Sequence, residues 1–195
     1  MCIRDRARGT PFAFSSVWWG KNWQDGRVTQ RVERNYLEIT SVKDLKENNL
    51  LTLNCSITLL EPENFQINKF FYKIVGKKHN WTDRLSWSES QWIKYSSDEK
   101  VKTYILKVEE DLAGYYELIF YNEKSEVEIA YLGLVENYHN QKLGSYLLSS
   151  AIKNSFTNNI TKRVWVHTCS LDHKNALNNY LKRGMKIFKK EVIDI

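Results

Sequence analysis

Residues 126–156 read EVEIAYLGLVENYHNQKLGSYLLSSAIKNSF. Val127, Ile129 and Tyr131 alternate with Glu126, Glu128 and Ala130, the two-residue period of a strand with one apolar face. Asn137 to Lys142 is polar apart from Tyr138. From Leu143 onward Leu147, Leu148, Ala151, Ile152 and Phe156 recur at helical spacing. The stretch therefore predicts a strand, a short polar loop and a helix. The first N–H groups of such a helix lack intrahelical partners, and its aligned peptide dipoles favour an anion there. Gly144 and Ser145 keep that end narrow enough for a phosphate to reach the backbone. Strand–loop–helix units are also common connections in α/β proteins, so an ordinary connection remains the alternative on geometry alone.

The flanking sequence extends the pattern. Asn35–Thr40 and Leu50–Leu60 read as strands, with a turn or short helix over Val42–Asn49 and Pro62 closing the second strand. Phe65–Gly76 places Ile67, Phe70, Phe71, Ile74 and Val75 on one helical face and stops at a glycine. Ser88 and Gln91 have the spacing of a capping box, which starts a second helix running to about Tyr95. Lys102–Glu109 and Leu112–Phe120 read as an antiparallel pair leading into the Glu126 strand. The resulting order predicts one mixed α/β (α+β) domain, its sheet flanked by helices.

A chain of 195 residues is long enough for one substantial domain, and 42% hydrophobic residues with 13% aromatics predict a packed core. The net charge of +6 attracts polyanions but is too modest to identify a nucleic-acid binder. Cys2, Cys55 and Cys169 have no C-x-x-C spacing, so free thiols in a reducing compartment are expected, without a disulfide framework or metal site. With no apolar run of transmembrane length, no membrane is expected and the cytoplasm is the expected location. Residues 1–10 resemble a translated adapter string and are expected to be a non-native or disordered leader. Residues 11–34, with Trp18, Trp19 and Trp23, are expected to form an N-terminal extension, and 35–195 the domain.

The 126–156 stretch resembles the acetyl-CoA-binding core of the GNAT N-acetyltransferases. That family's Gln/Arg-x-x-Gly-x-Gly/Ala loop falls on His139-Asn140-Gln141-Lys142-Leu143-Gly144, where only the last glycine is kept. The segment from Arg163 to Met185 is a closer match. It is similar to the family's next strand followed by an Asn-Ala-x-x-x-Tyr-x-x-x-Gly-Phe helix, through Asn175, Ala176, Tyr180 and Gly184, with Met185 in place of Phe. The resemblance covers about Val101–Lys190 and reaches more loosely to Phe70, through Tyr72–Gly76 and Trp81–Trp87. It implies the GNAT (acyl-CoA N-acyltransferase) fold, with a central mixed, mostly antiparallel sheet. The implied activity is acetyl transfer from acetyl-CoA to a primary amine by direct attack on the thioester. No metal is implied.

Such a reaction needs a neutral amine and a proton for the departing thiolate. The resemblance implies Glu128 as general base, with Glu126 as fallback; a solvated strand-edge carboxylate is the alternative. It implies Tyr180 as the acid that protonates the coenzyme A sulfur. Asn175 is expected on the pantetheine arm, and a simple helix-start residue is its alternative. Leu134 and Val135 are expected at a strand bulge that offers backbone groups to the thioester and pantetheine amides. Gln141, Lys142, Leu143, Gly144 and Ser145 are expected to supply N–H groups to the pyrophosphate. Lys142 in place of glycine removes room but adds a charge-assisted donor.

Other groups are read more plainly. His167 and Cys169 share a strand face, but no glycine-flanked elbow surrounds Cys169 or Ser170, which argues against a hydrolase triad. Lys174–Lys190 holds six basic residues and no acid, either a solvated face or a surface for phosphate or RNA. Trp81, Arg84, Trp87 and Trp92 belong to the helical insert that walls the acceptor site in the resembled fold, or simply pack. Acetyl-CoA and a small-molecule or peptide amine are the expected partners, without nucleic acid, in a monomer or homodimer. A non-catalytic acyl-CoA-binding module and a basic RNA- or ribosome-associated protein are the alternative functions.

Overall fold

The computed structural model describes residues 31–48 and 54–194. The described strands are β1 (Arg31–Ile39), β2 (Cys55–Leu59), β3 (Val101–Val108), β4 (Asp111–Tyr121), β5 (Glu126–Leu134), β6 (Arg163–Cys169) and β7 (Lys186–Asp194). They form one sheet in the order β2-β3-β4-β5-β6-β1-β7. Every pair is antiparallel except β5 with β6. The helices are α1 (Phe65–Gly76), α2 (Glu89–Ser96), α3 (Leu143–Ser155) and α4 (Ala176–Lys182). The expected mixed α/β architecture is thus present. None of the described helices is long and apolar enough to cross a membrane.

Local chemistry explains most of the boundaries. Asn64 caps α1 by accepting from the Gln66 N–H, and the Ser88–Gln91 capping box is formed in both directions at α2. Strand β1 begins at Arg31, ahead of the expected Asn35. Residues 1–30, which hold the expected leader and most of the extension, lie outside the described residues, as do 49–53, the end of the expected turn and the start of the expected second strand. Cys55 is a free thiol whereas Cys169 is disulfide-bonded, which corrects the expectation of free thiols. An odd count without close spacing does not forbid pairing between distant positions.

The core has two halves, one on each face of the sheet. Leu143, Leu147, Leu148, Ala151 and Ile152 of α3 and Tyr180 of α4 pack on Leu106, Leu118, Val127, Ile129 and Val166. On the other face Phe71, Tyr72 and Val75 of α1 and Trp92 of α2 pack on Ile105, Tyr115 and Tyr131. Strand β5 contributes to both, and the β4–β5 register slips between Glu117 and Leu118, leaving Ala130 unmatched. That irregularity turns Tyr131 to the α1 face, away from Val127 and Ile129. The alternation expected of one uninterrupted strand, and a bulge at Leu134–Val135, are corrected here: the extra residue sits earlier.

Beneath α1 and α2 lies a buried ion pair. Arg84 Nη1 donates to Glu117 Oε2 at 3.0 Å, with the two side chains 1% and 0% exposed. Glu117 also accepts from Asn68 Nδ2 and the Tyr95 hydroxyl. The guanidinium carbon lies 3.9 Å from the Tyr95 ring centroid and 4.2 Å from that of Tyr131, close enough for cation–π attraction. The neighbouring Asp83 accepts from the hydroxyls of Tyr72 and Tyr131, so the loop between α1 and α2 is tied to both α1 and β5.

Candidate active site

The cleft begins where two strands part. β5 and β6 are paired only over Glu126–Glu128 with Arg163–Trp165. β5 then runs on to Leu134 and β6 to Cys169 with no further register between them. A cleft of about 630 Å³ opens beside this fork, walled by Leu132, Gly133 and Leu134 of β5, the loop before α3, and α4. Val75, His79 and Trp81 close it from the α1 side. The closeness of that wall depends on Gly133, where a Cβ would collide with Cγ1 of Val75.

The start of α3 forms one end. Lys142 occupies its N-cap with φ 62° and ψ 1°, a left-handed conformation, and no side chain caps the helix. Asn140 also has φ 62°. The loop thus keeps a shape that glycine adopts most readily, although both positions carry side chains. Ser145 Oγ donates to the Lys142 carbonyl at 2.7 Å and accepts from Asn48 Nδ2 at 2.6 Å. Asn179 Nδ2 donates to the Gly144 carbonyl at 3.0 Å, fixing α4 against this end. Lys142, Lys182 and Arg183 bring three cations to the same cleft. An uncapped helix start with cations around it fits a polyphosphate.

Three histidines from three loops meet at the cleft. The His139 and His173 ring centroids are 5.2 Å apart, and those of His79 and His173 6.1 Å. His139 Nε2 lies 3.2 Å from the Leu134 carbonyl, which can only accept, so that nitrogen carries the proton. His173 Nδ1 accepts from the Asn175 N–H. Burial pushes His173 below the ordinary imidazole value, helped by His139 and Lys174. Burial does the same to His79. Among the described residues no group of three or more His, Cys, Asp or Glu side chains is arranged to hold a metal. Tyr180 lines the cleft at 6% exposure, and burial pushes its phenol well up, so it is protonated at neutral pH.

Of the residues singled out from sequence, Leu134, Lys142, Gly144, Ser145, Asn175 and Tyr180 line this cleft together. Val135, Gln141 and Leu143 do not. The Val135 N–H donates to the Ala113 carbonyl, Gln141 folds back onto the Asn137 carbonyl, and Leu143 is in the core. Glu128 is not a lining residue either: it is 1% exposed and accepts from the Tyr121 hydroxyl at 3.0 Å. Glu126 pairs with Arg163. Trp81 is a cleft wall, whereas Arg84 and Trp92 are buried behind it. Asn179 escaped the sequence reading, although Asn175, Asn179 and Arg183 recur every four residues on one helical face, while Lys182 and Arg183 were singled out only as members of the basic Lys174–Lys190 run. Asn48 and His79 carried no local signal.

The sequence profile of the Acetyltransferase (GNAT) family matches residues 62–185. No curated protein matches the chain significantly. Among solved structures, a GCN5-related N-acetyltransferase from Kribbella flavida superposes with a TM-score of 0.60 at 12% identity, over 83% of this chain and 57% of that one. A GCN5-related N-acetyltransferase from Sphaerobacter thermophilus gives 0.65 at 9% identity, over 87% and 54%. An aminoglycoside acetyltransferase from an uncultured soil metagenomic sample gives 0.56 at 13% identity, over 67% and 87%. At such identities the likeness is one of fold. The chain spans a little over half the length of the first two structures.

Proposed function

We propose, from the premise that the chain belongs to the GNAT acetyltransferase family, that it transfers the acetyl group of acetyl-CoA to a primary amine by direct attack on the thioester. The observation that carries this reading is the meeting, in one cleft, of the uncapped α3 start with its cations and the protonated Tyr180. The first suits the phosphates of the acyl donor, with Lys142, Lys182, Arg183 and the Gly144 backbone as its ligands. The second suits a thiolate that needs a proton as it leaves. Asn175, whose side chain makes no cap, is assigned to the pantetheine amides.

The proton of the attacking amine is assigned to the cleft histidines rather than to Glu128. A general base must come within hydrogen-bond reach of the proton it takes, and Glu128 does not line the cleft. Calorimetry with coenzyme A, followed by thiol release from acetyl-CoA with a panel of amines, tests the proposal. Binding with amine-dependent thiol release is the expected result. Binding without release from any amine would leave a non-catalytic acyl-CoA module, and absence of binding would sink the reading.

A further inference from the structure

Asn48 enters the cleft from the segment between β1 and β2, outside residues 62–185 matched by the family profile. Three contacts hold that segment without help from the Asn48 side chain. The Lys46 N–H donates to the Arg183 carbonyl at 3.1 Å, at the end of α4. Glu47 pairs with Lys153 of α3, and the Asn48 N–H donates to Ser149 Oγ of α3 at 3.1 Å. The segment thus bridges the two helices that line the cleft.

The Asn48 side chain acts elsewhere. Its Nδ2 donates to Ser145 Oγ at 2.6 Å, and the hydroxyl, with a lone pair so engaged, turns its own hydrogen to the Lys142 carbonyl at 2.7 Å. Lys142 is the left-handed N-cap of α3, a conformation that a side chain disfavours, so a bond to its carbonyl helps to hold it. The peptide linking Lys142 to Leu143 is planar and trans. A carbonyl held towards the helix body therefore sets the Leu143 N–H the opposite way, out of the helix start. Asn48, Ser145 and Lys142 form one chain of bonds that ends on this peptide.

We infer that Asn48 is a positioning residue for the acyl donor: through the Ser145 hydroxyl it fixes the peptide whose N–H leaves the α3 start towards the phosphates. This rests on the acetyltransferase reading above. Its part is in holding the donor and not in the chemical step.

The test is calorimetry with coenzyme A on the full chain and on Asn48→Ala, Ser145→Ala and the double variant, with urea unfolding of each. Each single change should weaken coenzyme A by about three- to tenfold, the range of one net hydrogen bond. The double variant should lose no more than the larger single loss, because both residues act on one chain of bonds. With an amine that turns over, Asn48→Ala should raise KM for acetyl-CoA severalfold and leave kcat and the amine KM within about twofold, a split that a general loosening of the fold does not give. Unchanged coenzyme A affinity in a folded Asn48→Ala variant would overturn the inference while leaving the acetyltransferase reading intact. So would losses that multiply in the double variant, the sign of Asn48 bonding the ligand directly. An equal loss in Glu47→Gln, which keeps the Asn48 bonds and frees only the ion pair, would overturn it as well. A wild-type chain that does not bind coenzyme A loses the acetyltransferase reading, and this inference with it.

Discussion

Arg84 and Glu117 meet at 3.0 Å with neither side chain reaching solvent, in a cage of aromatic rings behind the cleft wall. Removing one partner of such a pair strands the other charge in a medium that cannot solvate it. Arg84→Met should therefore destabilise the protein by about 3–5 kcal/mol. Adding Glu117→Gln should restore part of that loss, because the stranded charge is gone. Urea unfolding of the two single variants and the double variant measures the coupling. Purely additive losses would show that the pair contributes through packing alone.

Gly144 separates ligand from fold. A Cβ there would meet only Leu134 Cδ1 at 3.6 Å, an ordinary contact, so side chains are tolerated sterically. Gly144→Asp should fold normally yet weaken coenzyme A by at least about tenfold, roughly 1.4 kcal/mol, by setting a carboxylate against the phosphates. Calorimetry on the variant checks this, with Gly144→Ala as the uncharged comparison. Unchanged affinity in the aspartate variant would move the phosphate site away from α3.

Tyr180→Phe retains the buried ring and loses the hydroxyl. Loss of a positioned acid typically lowers rate about 10²–10⁴-fold. Turnover should fall into that range while coenzyme A affinity stays within about twofold, which equilibrium binding and saturation kinetics read separately. Full turnover in the variant would mean that water protonates the leaving thiolate.

The pH dependence distinguishes the two candidate proton acceptors. A histidine accepts a proton only while neutral, and burial holds His79 and His173 below 6.5. With both substrates saturating, kcat should be level at neutral pH and fall only as the pH drops below that value. Glu128→Gln should leave this acid limb in place and turnover within about threefold, since Glu128 lies outside the cleft. Replacing His79 or His173 by Asn should lower kcat and flatten the limb. A Glu128→Gln variant that alone loses the limb would return the role to the carboxylate.

The elements legible in sequence were those whose signals are local. The Ser88 capping box, the amphipathic run of α1 and the alternation in β3 and β4 each lie within one element and appear where expected. The slip at Ala130 was not legible, because a bulge inserts one residue without changing residue type, and it re-aims Tyr131. The segment before α3 was legible as a loop, but Lys142 concealed that the backbone keeps a glycine-like conformation. The place of Asn175 and Tyr180 beside one another was legible from their spacing, and both line the cleft. It was hidden for His79 and Asn48, which reach the cleft only through tertiary packing. Glu117 gave no sign at all, since a lone acid in an apolar strand has meaning only once Arg84 is found beside it.

The position of β1 has a kinetic consequence. It lies between β6 and β7, so Arg31 is opposite Asp194 and Tyr36 opposite Lys189, contacts between the two ends of the described domain. β2 to β5 are built from neighbouring antiparallel strands and need only short loops to close. β6 joins β5 through the nearby α3 crossover, but β1 reaches β6 and β7 only by closing a loop on the order of a hundred residues or more, an entropic cost met before any reward. During synthesis α4 and Tyr180 would emerge before β7 exists to complete the sheet beside β1. A chain shortened before Lys186 would thus carry every described residue that lines the cleft, yet leave β1 with one edge unpaired.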